Sequence, residues 1–257
     1  MVLLSFDIEE FDMAFEYGKT ISFEDQISIS VTGTTAILDL LSKHQLKATF
    51  FCTATFAQNA GQIIARILAD GHELASHGYY HSDFKPEHLK ASRLELERIS
   101  GVEVKGYRMA RMMPVDEEEI ARAGYSYNSS INPTWLPGRY NNLHVSRTWF
   151  YESGVLQLPA SVSPMLRFPL FWLSFHNLPL WLYEHIAAQT IKKDGYLNVY
   201  FHPWEFTDLH DKERFGFPGY VSKNSGTDMI SRMDQFMTWI NREGYKSGTI
   251  QSFVNTL

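Results

Sequence analysis

Ala48-Thr49-Phe50-Phe51-Cys52, then Ile63-Ile64 and Ile67-Leu68 up to Gly71, then His72-Glu73-Leu74-Ala75-Ser76, set the architecture of this chain. The first run is short, apolar and rich in aromatics, as a buried strand is. The isoleucines recur at helical spacing, and Gly71 stops the helix. The third run is again a strand. Strand, helix and strand in about thirty residues is the unit of a parallel sheet. The same alternation extends both ways. Val2 to Phe6 reads as a first strand. Thr34 to His44 reads as a helix, with Ile37, Leu38, Leu40 and Leu41 on one side. Leu89 to Ile99 is helical, Gly106 to Arg108 a short strand, and Pro114 to Ala123 a helix. Asp116, Glu117, Glu118 and Glu119 fall in its first turn, where the helix dipole favours negative charge, so they read as capping. Strands are expected at Tyr125 to Ile131, Val155 to Leu158 and Leu197 to Phe201, and a last helix at Met229 to Asn241. The expected class is α/β. Periodicity leaves open whether the parallel sheet is flat or rolled into a barrel. In both cases ligands gather beyond the carboxyl ends of the strands.

Composition narrows the classes. The 257 residues carry 23 Lys and Arg against 29 Asp and Glu, a net charge of −6. The longest basic run is Lys192-Lys193, so no nucleic-acid partner is expected. The one cysteine, Cys52, rules out an intramolecular disulfide or a Cys-based zinc site, and it reads as a small buried hydrophobe. No apolar run reaches the length of a spanning helix. The N-terminus lacks the basic start of a secretory leader. The cytoplasm is the expected location. One domain over residues 1–257 is expected.

Polar residues stand just after three strands. Asp7 and Glu9 are two apart, so an extended backbone points both carboxylates one way. A metal ion or a shared proton relieves their repulsion; taken alone, an exposed acidic loop is the simpler reading. His77 and His81 flank Gly78 and can chelate one ion from a tight loop; the alternative is two hydrogen-bonded buried imidazoles. His202, before Pro203, suits a general acid or base, or else caps a turn. Together these groups suit metal-assisted hydrolysis.

The order of motifs then carries a resemblance. Ser5-Phe6-Asp7-x-Glu9, Ala48-Thr49-Phe50-Phe51, Gly71-His72-Glu73-Leu74-Ala75-Ser76-His77-x-x-x-His81, Gly106-Tyr107-Arg108, Tyr127-x-Ser129-Ser130 and Tyr200-Phe201-His202-Pro203-Trp204-Glu205 resemble the polysaccharide deacetylases, the NodB-homology group of carbohydrate esterase family four. The resemblance implies a distorted (β/α) barrel of about seven parallel strands. It implies Asp7 as general base, Arg108 as the arginine orienting that base, and His202 as general acid. It implies one divalent ion, zinc before others, on Glu9, His77 and His81. The implied reaction removes N-acetyl groups from an amino sugar of a surface glycan or a lipid-linked precursor. Tyr80, Asn128, Trp135 and Trp204 are the expected substrate contacts.

Three positions depart from the family pattern. Glu9 stands where Asp is commoner. Arg111 follows Arg108 within an unusual Met109-Ala110-Arg111 segment and is expected to share or replace its work. Asn128 replaces an Asp that polarises the acid histidine; Asp208 or Glu205 is then expected to supply the charge. The segment 168–183 is the most apolar stretch. A helix packed on the barrel is the preferred reading. The alternative is a membrane-facing patch, with Arg167 placed for a lipid phosphate and the protein peripheral on the membrane face. Specificity is expected from the loops Trp135 to Asn142 and Phe215 to Val221. Two other functions stay open: a metal-independent amidohydrolase acting on a small cyclic amide, and a non-catalytic glycan- or lipid-binding protein on the same fold.

Overall fold

A computed structural model describes residues 1–257, the side chain of Tyr140 excepted. The strands are β1 (Val2–Ile8), β2 (Ala48–Cys52), β3 (Glu73–Ser76), β4 (Gly106–Tyr107), β5 (Tyr127–Asn128), β6 (Trp135–Leu136), β7 (Tyr140–Asn141), β8 (Phe150–Glu152), β9 (Val155–Gln157) and β10 (Leu197–Phe201). Eight of them form one sheet in the order β10-β1-β2-β3-β4-β5-β9-β8. All its pairings are parallel except β8 against β9. The fold is α/β, a curled half-barrel of the distorted (β/α) kind.

The curl follows from which residues meet inside. On β1, Val2, Leu4, Phe6 and Ile8 join the large core under the helices. The alternate residue Leu3 packs instead with Phe51, Ala75, Tyr127 and Leu156 from β2, β3, β5 and β9, and with Leu158 just beyond β9. Residues from strands this far apart in the order touch only if the sheet wraps around them. The open seam lies between β10 and β9. Ser161 spans it, its N–H donating to the Asn198 carbonyl at 2.8 Å. The Asn198 amide closes it further on the Leu158 and Pro159 carbonyls, at 3.2 and 3.1 Å.

The expected parallel strands are all present: β2 and β10 have the expected bounds, β1 runs on to Ile8, and β3, β4, β5 and β9 are shorter. Tyr125 to Ile131 shrinks to two strand residues because Ser129 and Ser130 turn away to meet β4 and its following loop. The helix expected from Thr34 begins earlier. It runs Phe23–His44, and the Ser22 hydroxyl caps it by accepting the Asp25 N–H at 3.1 Å. Its polar first turns hide the periodicity. The antiparallel strand β8 and the hairpin β6–β7 carry no apolar alternation and were not legible in the sequence.

The segment 168–183 is two helices, Trp172–Asn177 and Leu180–Asp194, separated at Pro179. Leu170, Phe175 and Tyr183 are core residues, as a packed helix requires. Arg167 donates from Nη1 to the Val145 and Pro133 carbonyls, at 2.7 and 3.3 Å, so it braces a loop instead of waiting for a phosphate. Among the described residues no helix is long and apolar enough to cross a membrane.

Gly33 fixes one distance that the site depends on. A Cβ there would lie 1.8 Å from the Pro203 carbonyl oxygen. Only glycine lets the long helix rest on the turn that follows β10.

Candidate active site

Asp7 and Glu9 lie at the carboxyl end of β1 and just beyond it, on the alternation that also points Leu3 and Ser5 inward. Both are buried, at 2% and 3% exposure. Burial alone would push the Asp7 carboxyl up. The Arg108 guanidinium, helped by His77 and His202, holds it below the usual carboxylate range. Arg108 is fully buried. Its Nη1 donates to Asp7 Oδ1 at 2.6 Å and to Ser5 Oγ at 2.9 Å. Its Nε donates to the Ser129 carbonyl at 3.0 Å, and its Nη2 to Ser129 Oγ at 3.1 Å. The Phe51 ring lies 4.0 Å beneath the guanidinium.

Glu9, His77 and His81 bring one ligand atom each to within 4.8 Å of one another. Glu9 Oε2 is 3.1 Å from Nε2 of both rings, and it is buried without a hydrogen-bond partner among the described residues. His77 Nδ1 donates to the Arg108 carbonyl at 2.9 Å. In the neutral ring that leaves a lone pair on Nε2, facing the Glu9 oxygen. Two acceptors this close need a cation or a proton between them. His81 Nδ1 donates to Asp12 Oδ1 at 2.7 Å, the carboxylate–imidazole pairing that orients a metal-binding ring. Burial works against a charge on His81, but Glu9 and Asp12 outweigh it and raise its pKa to about 9. The donor set therefore fits a divalent ion with open positions.

Two groups hold this loop, Glu10, which sequence reasoning missed, and Gly78, which it read as a loop residue. Glu10 accepts the Thr53 hydroxyl at 2.7 Å and the His81 N–H at 2.9 Å. Gly78, at φ +92°, makes the turn that brings the two histidines together. The second acidic residue after β1 was the available signal for Glu10.

His202 faces the same pocket. Its Nε2 is 4.0 Å from Asp7 Oδ2, and Trp204 stacks on its ring at 4.9 Å between centroids. Glu205 Oε1 accepts from its Nδ1 at 3.0 Å and from its backbone N–H at 2.6 Å. Burial disfavours the imidazolium, but Glu205 first, then Glu9 and Asp7, raise the His202 pKa. Glu205 is thus the charge behind the histidine. Asp208 binds His210 on the surface instead, at 2.7 Å.

Several expected contacts lie elsewhere. Asn128 is buried away from His202. Its amide donates to Gln157 Oε1 at 2.9 Å and to Glu117 Oε1 at 3.2 Å. Arg111 does not share the work of Arg108. It pairs with Glu16 at 2.8 Å and Asp12 at 3.3 Å at the pocket rim, where its backbone has a positive φ of 56°. Tyr80 packs beside Tyr79 and His88, and Trp135 is 59% exposed; neither lines the pocket. Of the two expected specificity loops, the first contributes Arg139 to the pocket. In the second, Phe215 and Phe217 pack on Phe11 behind it. Trp172, Trp204, Met13 and Met112 complete its apolar walls.

The acidic turn does more than cap. Asp116 accepts the Glu118 N–H at 2.9 Å as expected. Glu117 instead turns inward and accepts from Gln157 Nε2 at 2.6 Å. Burial, with Glu152 and Asp116 nearby, raises its pKa to about 7. A carboxyl whose folded pKa lies above its unfolded value stabilises the fold at low pH and loses that contribution as pH rises, here from about 4.5 through 7. Glu117→Gln is therefore expected to gain about 1 kcal/mol at pH 8, after solvent screening, and little at pH 4.5. Urea denaturation at the two pH values checks this; an equal effect at both would refute it.

The sequence profile of the polysaccharide deacetylase family matches residues 17–111. A chitooligosaccharide deacetylase of Bradyrhizobium sp. is 42% identical over 50 residues, 20% of this chain and 23% of that protein. The peptidoglycan-N-acetylmuramic acid deacetylase PdaA of Bacillus subtilis is 31% identical over 97 residues, 36% of each chain. The matches thus span about a quarter to a third of these relatives' lengths. Among solved structures, the Xyl-CE4 domain of a xylanase from the hindgut metagenome of Trinervitermes trinervoides superposes with a TM-score of 0.55 at 16% identity. It covers 99% of this chain and 89% of that one. At that identity the likeness concerns the fold.

Proposed function

We propose that this chain, whose residues 17–111 match the polysaccharide deacetylase family, is a metal-dependent hydrolase of that family that removes the N-acetyl group from an amino sugar. The observation that carries the reading is the buried Glu9 oxygen facing two histidines whose other nitrogens are already committed. Zinc is the ion proposed for Glu9, His77 and His81. An ion there supplies Lewis acidity toward water and the acetamide carbonyl.

The chain's own residues do the rest. Asp7, kept ionised by Arg108, accepts the proton of the attacking water. His202 carries a proton on Nε2 because Glu205 stabilises its charged form, and it delivers that proton to the departing nitrogen. Without it an amine is a poor leaving group. Trp172 and Trp204 present flat apolar faces on which a sugar ring can lie. The substrate we favour is an acetylated glycan or lipid-linked precursor, met from the cytoplasmic side of a membrane. The exposed apolar side chains of Met165, Leu166 and Trp181 support a peripheral contact of that kind.

Metal analysis on untagged protein is the first test. About one equivalent of zinc or a similar ion is expected in the wild type and none in His77→Ala/His81→Ala. Acetate release from N-acetylated chitooligosaccharides should disappear with it. A wild type that takes up no ion from micromolar zinc would end this reading and revive the metal-independent cyclic-amide or binding-protein alternatives.

A further inference from the structure

The aromatic segment after Phe168 reaches the catalytic pocket at one remove, through His176. This residue sits in the helix Trp172–Asn177 and is fully buried. Its Nε2 lies 2.8 Å from Glu205 Oε2. The other Glu205 oxygen holds His202 by ring and backbone, at 3.0 and 2.6 Å. Glu205 is itself fully buried, so a carboxylate out of reach of solvent bridges the buried His176 and the pocket-facing His202.

The chemistry of the bridge fixes the protons. An ionised carboxylate only accepts, so both ring nitrogens facing it are N–H donors. His176 Nδ1 is buried and has no partner among the described residues. A proton there would be a buried donor without an acceptor, so the ring is neutral and protonated on Nε2 alone. The pair is also held sterically. Trp172 meets both rings edge-on, with centroids 5.9 Å from His176 and 5.7 Å from His202.

We propose that His176 is a positioning residue, a neutral donor that locks Glu205 in its bridging rotamer and so holds His202 with Nδ1 protonated and Nε2 turned to the reacting nitrogen. Without that donor, Glu205 Oε2 would be a buried acceptor with nothing to accept, and the carboxylate would rotate or take up a proton. His202 would then lose both its orientation and its counter-charge. The proposal rests on the deacetylase reading and deepens it: the family pattern places an Asp behind this histidine, and here that work passes to Glu205 and, through it, to His176.

The test compares two leaving groups on zinc-loaded, full-length protein. Tetra-N-acetylchitotetraose releases an amine, which needs a proton; 4-nitrophenyl acetate releases a phenolate, which does not. His176→Phe keeps a ring and loses the donor. It is expected to lower kcat on the oligosaccharide by about 10- to 100-fold with KM unchanged, and to leave the ester reaction nearly untouched. His176→Gln, which puts an amide nitrogen near the Nε2 position, should restore most of the loss. Equal losses on both substrates, or a Gln variant no better than Phe, would overturn the proposal.

A second measurement needs neither activity nor a variant. Nitrogen-15 spectra of histidine-labelled wild type should show His176 as the neutral Nε2–H tautomer. An Nδ1–H tautomer or an imidazolium would overturn the proposal even if the wild type proved inactive on both substrates, an outcome that would count separately against the deacetylase reading.

Discussion

Asp7→Asn is expected to lower kcat for deacetylation by about 10²- to 10⁴-fold while the protein keeps its metal. The carboxylate is the group placed to take the water proton, and an amide cannot take it. The ion is expected to stay because Glu9, His77 and His81 are untouched and their supporting bonds run to Arg108 O, Asp12 and Glu10. The measurement is a steady-state rate on an N-acetylated chitooligosaccharide beside a metal assay of the same preparation. A near wild-type rate would remove Asp7 from the chemistry and favour the binding-protein reading. Loss of both rate and metal would mean that Asp7 serves the ion instead of the water.

Arg108→Met is expected to cost the fold about 3–5 kcal/mol, with activity lost as well. The guanidinium is wholly buried and is charge-paired to Asp7 at 2.6 Å, so its removal strands a carboxylate inside the barrel. Ser5 and the Ser129 carbonyl lose their donor at the same time. Urea denaturation at pH 7 gives the size of the loss. The double variant Arg108→Met/Asp7→Asn should be more stable than Arg108→Met, because the stranded charge is gone. The depressed Asp7 pKa gives the sign with pH: its contribution is present above its unfolded value, near 4, and fades as pH falls through the folded one. The gap between wild type and Arg108→Met should therefore narrow in acid. A loss below about 1 kcal/mol at pH 7 would contradict the pairing.

The parallel sheet is legible in the sequence alone, because short continuous apolar runs alternate along the chain with apolar residues at helical spacing. It also shows which residues stand at strand ends: Asp7, His77 and His202 directly follow an expected strand, Glu9 stands two residues beyond Asp7, and Arg108 closes a strand of its own. Alternation placed Asp7 and Glu9 on one face without further help. What lay beyond it were contacts between segments far apart in the chain. Asn128 and Arg111 sit at suggestive positions, yet only packing revealed that Asn128 meets Glu117 and Gln157 and that Arg111 turns to the rim. Glu205 was one of two candidates for the charge behind His202. The turn at Pro203 chose it, and that turn is set by the close approach of Gly33 from a helix some 170 positions earlier. His176 carried no signal, since a histidine in an apolar helix reads as core until its partner is known. Local periodicity is a property of neighbours in sequence, so sequence can show it. The protonation and aim of a buried side chain depend on whichever groups enclose it, and those come together only when the sheet curls.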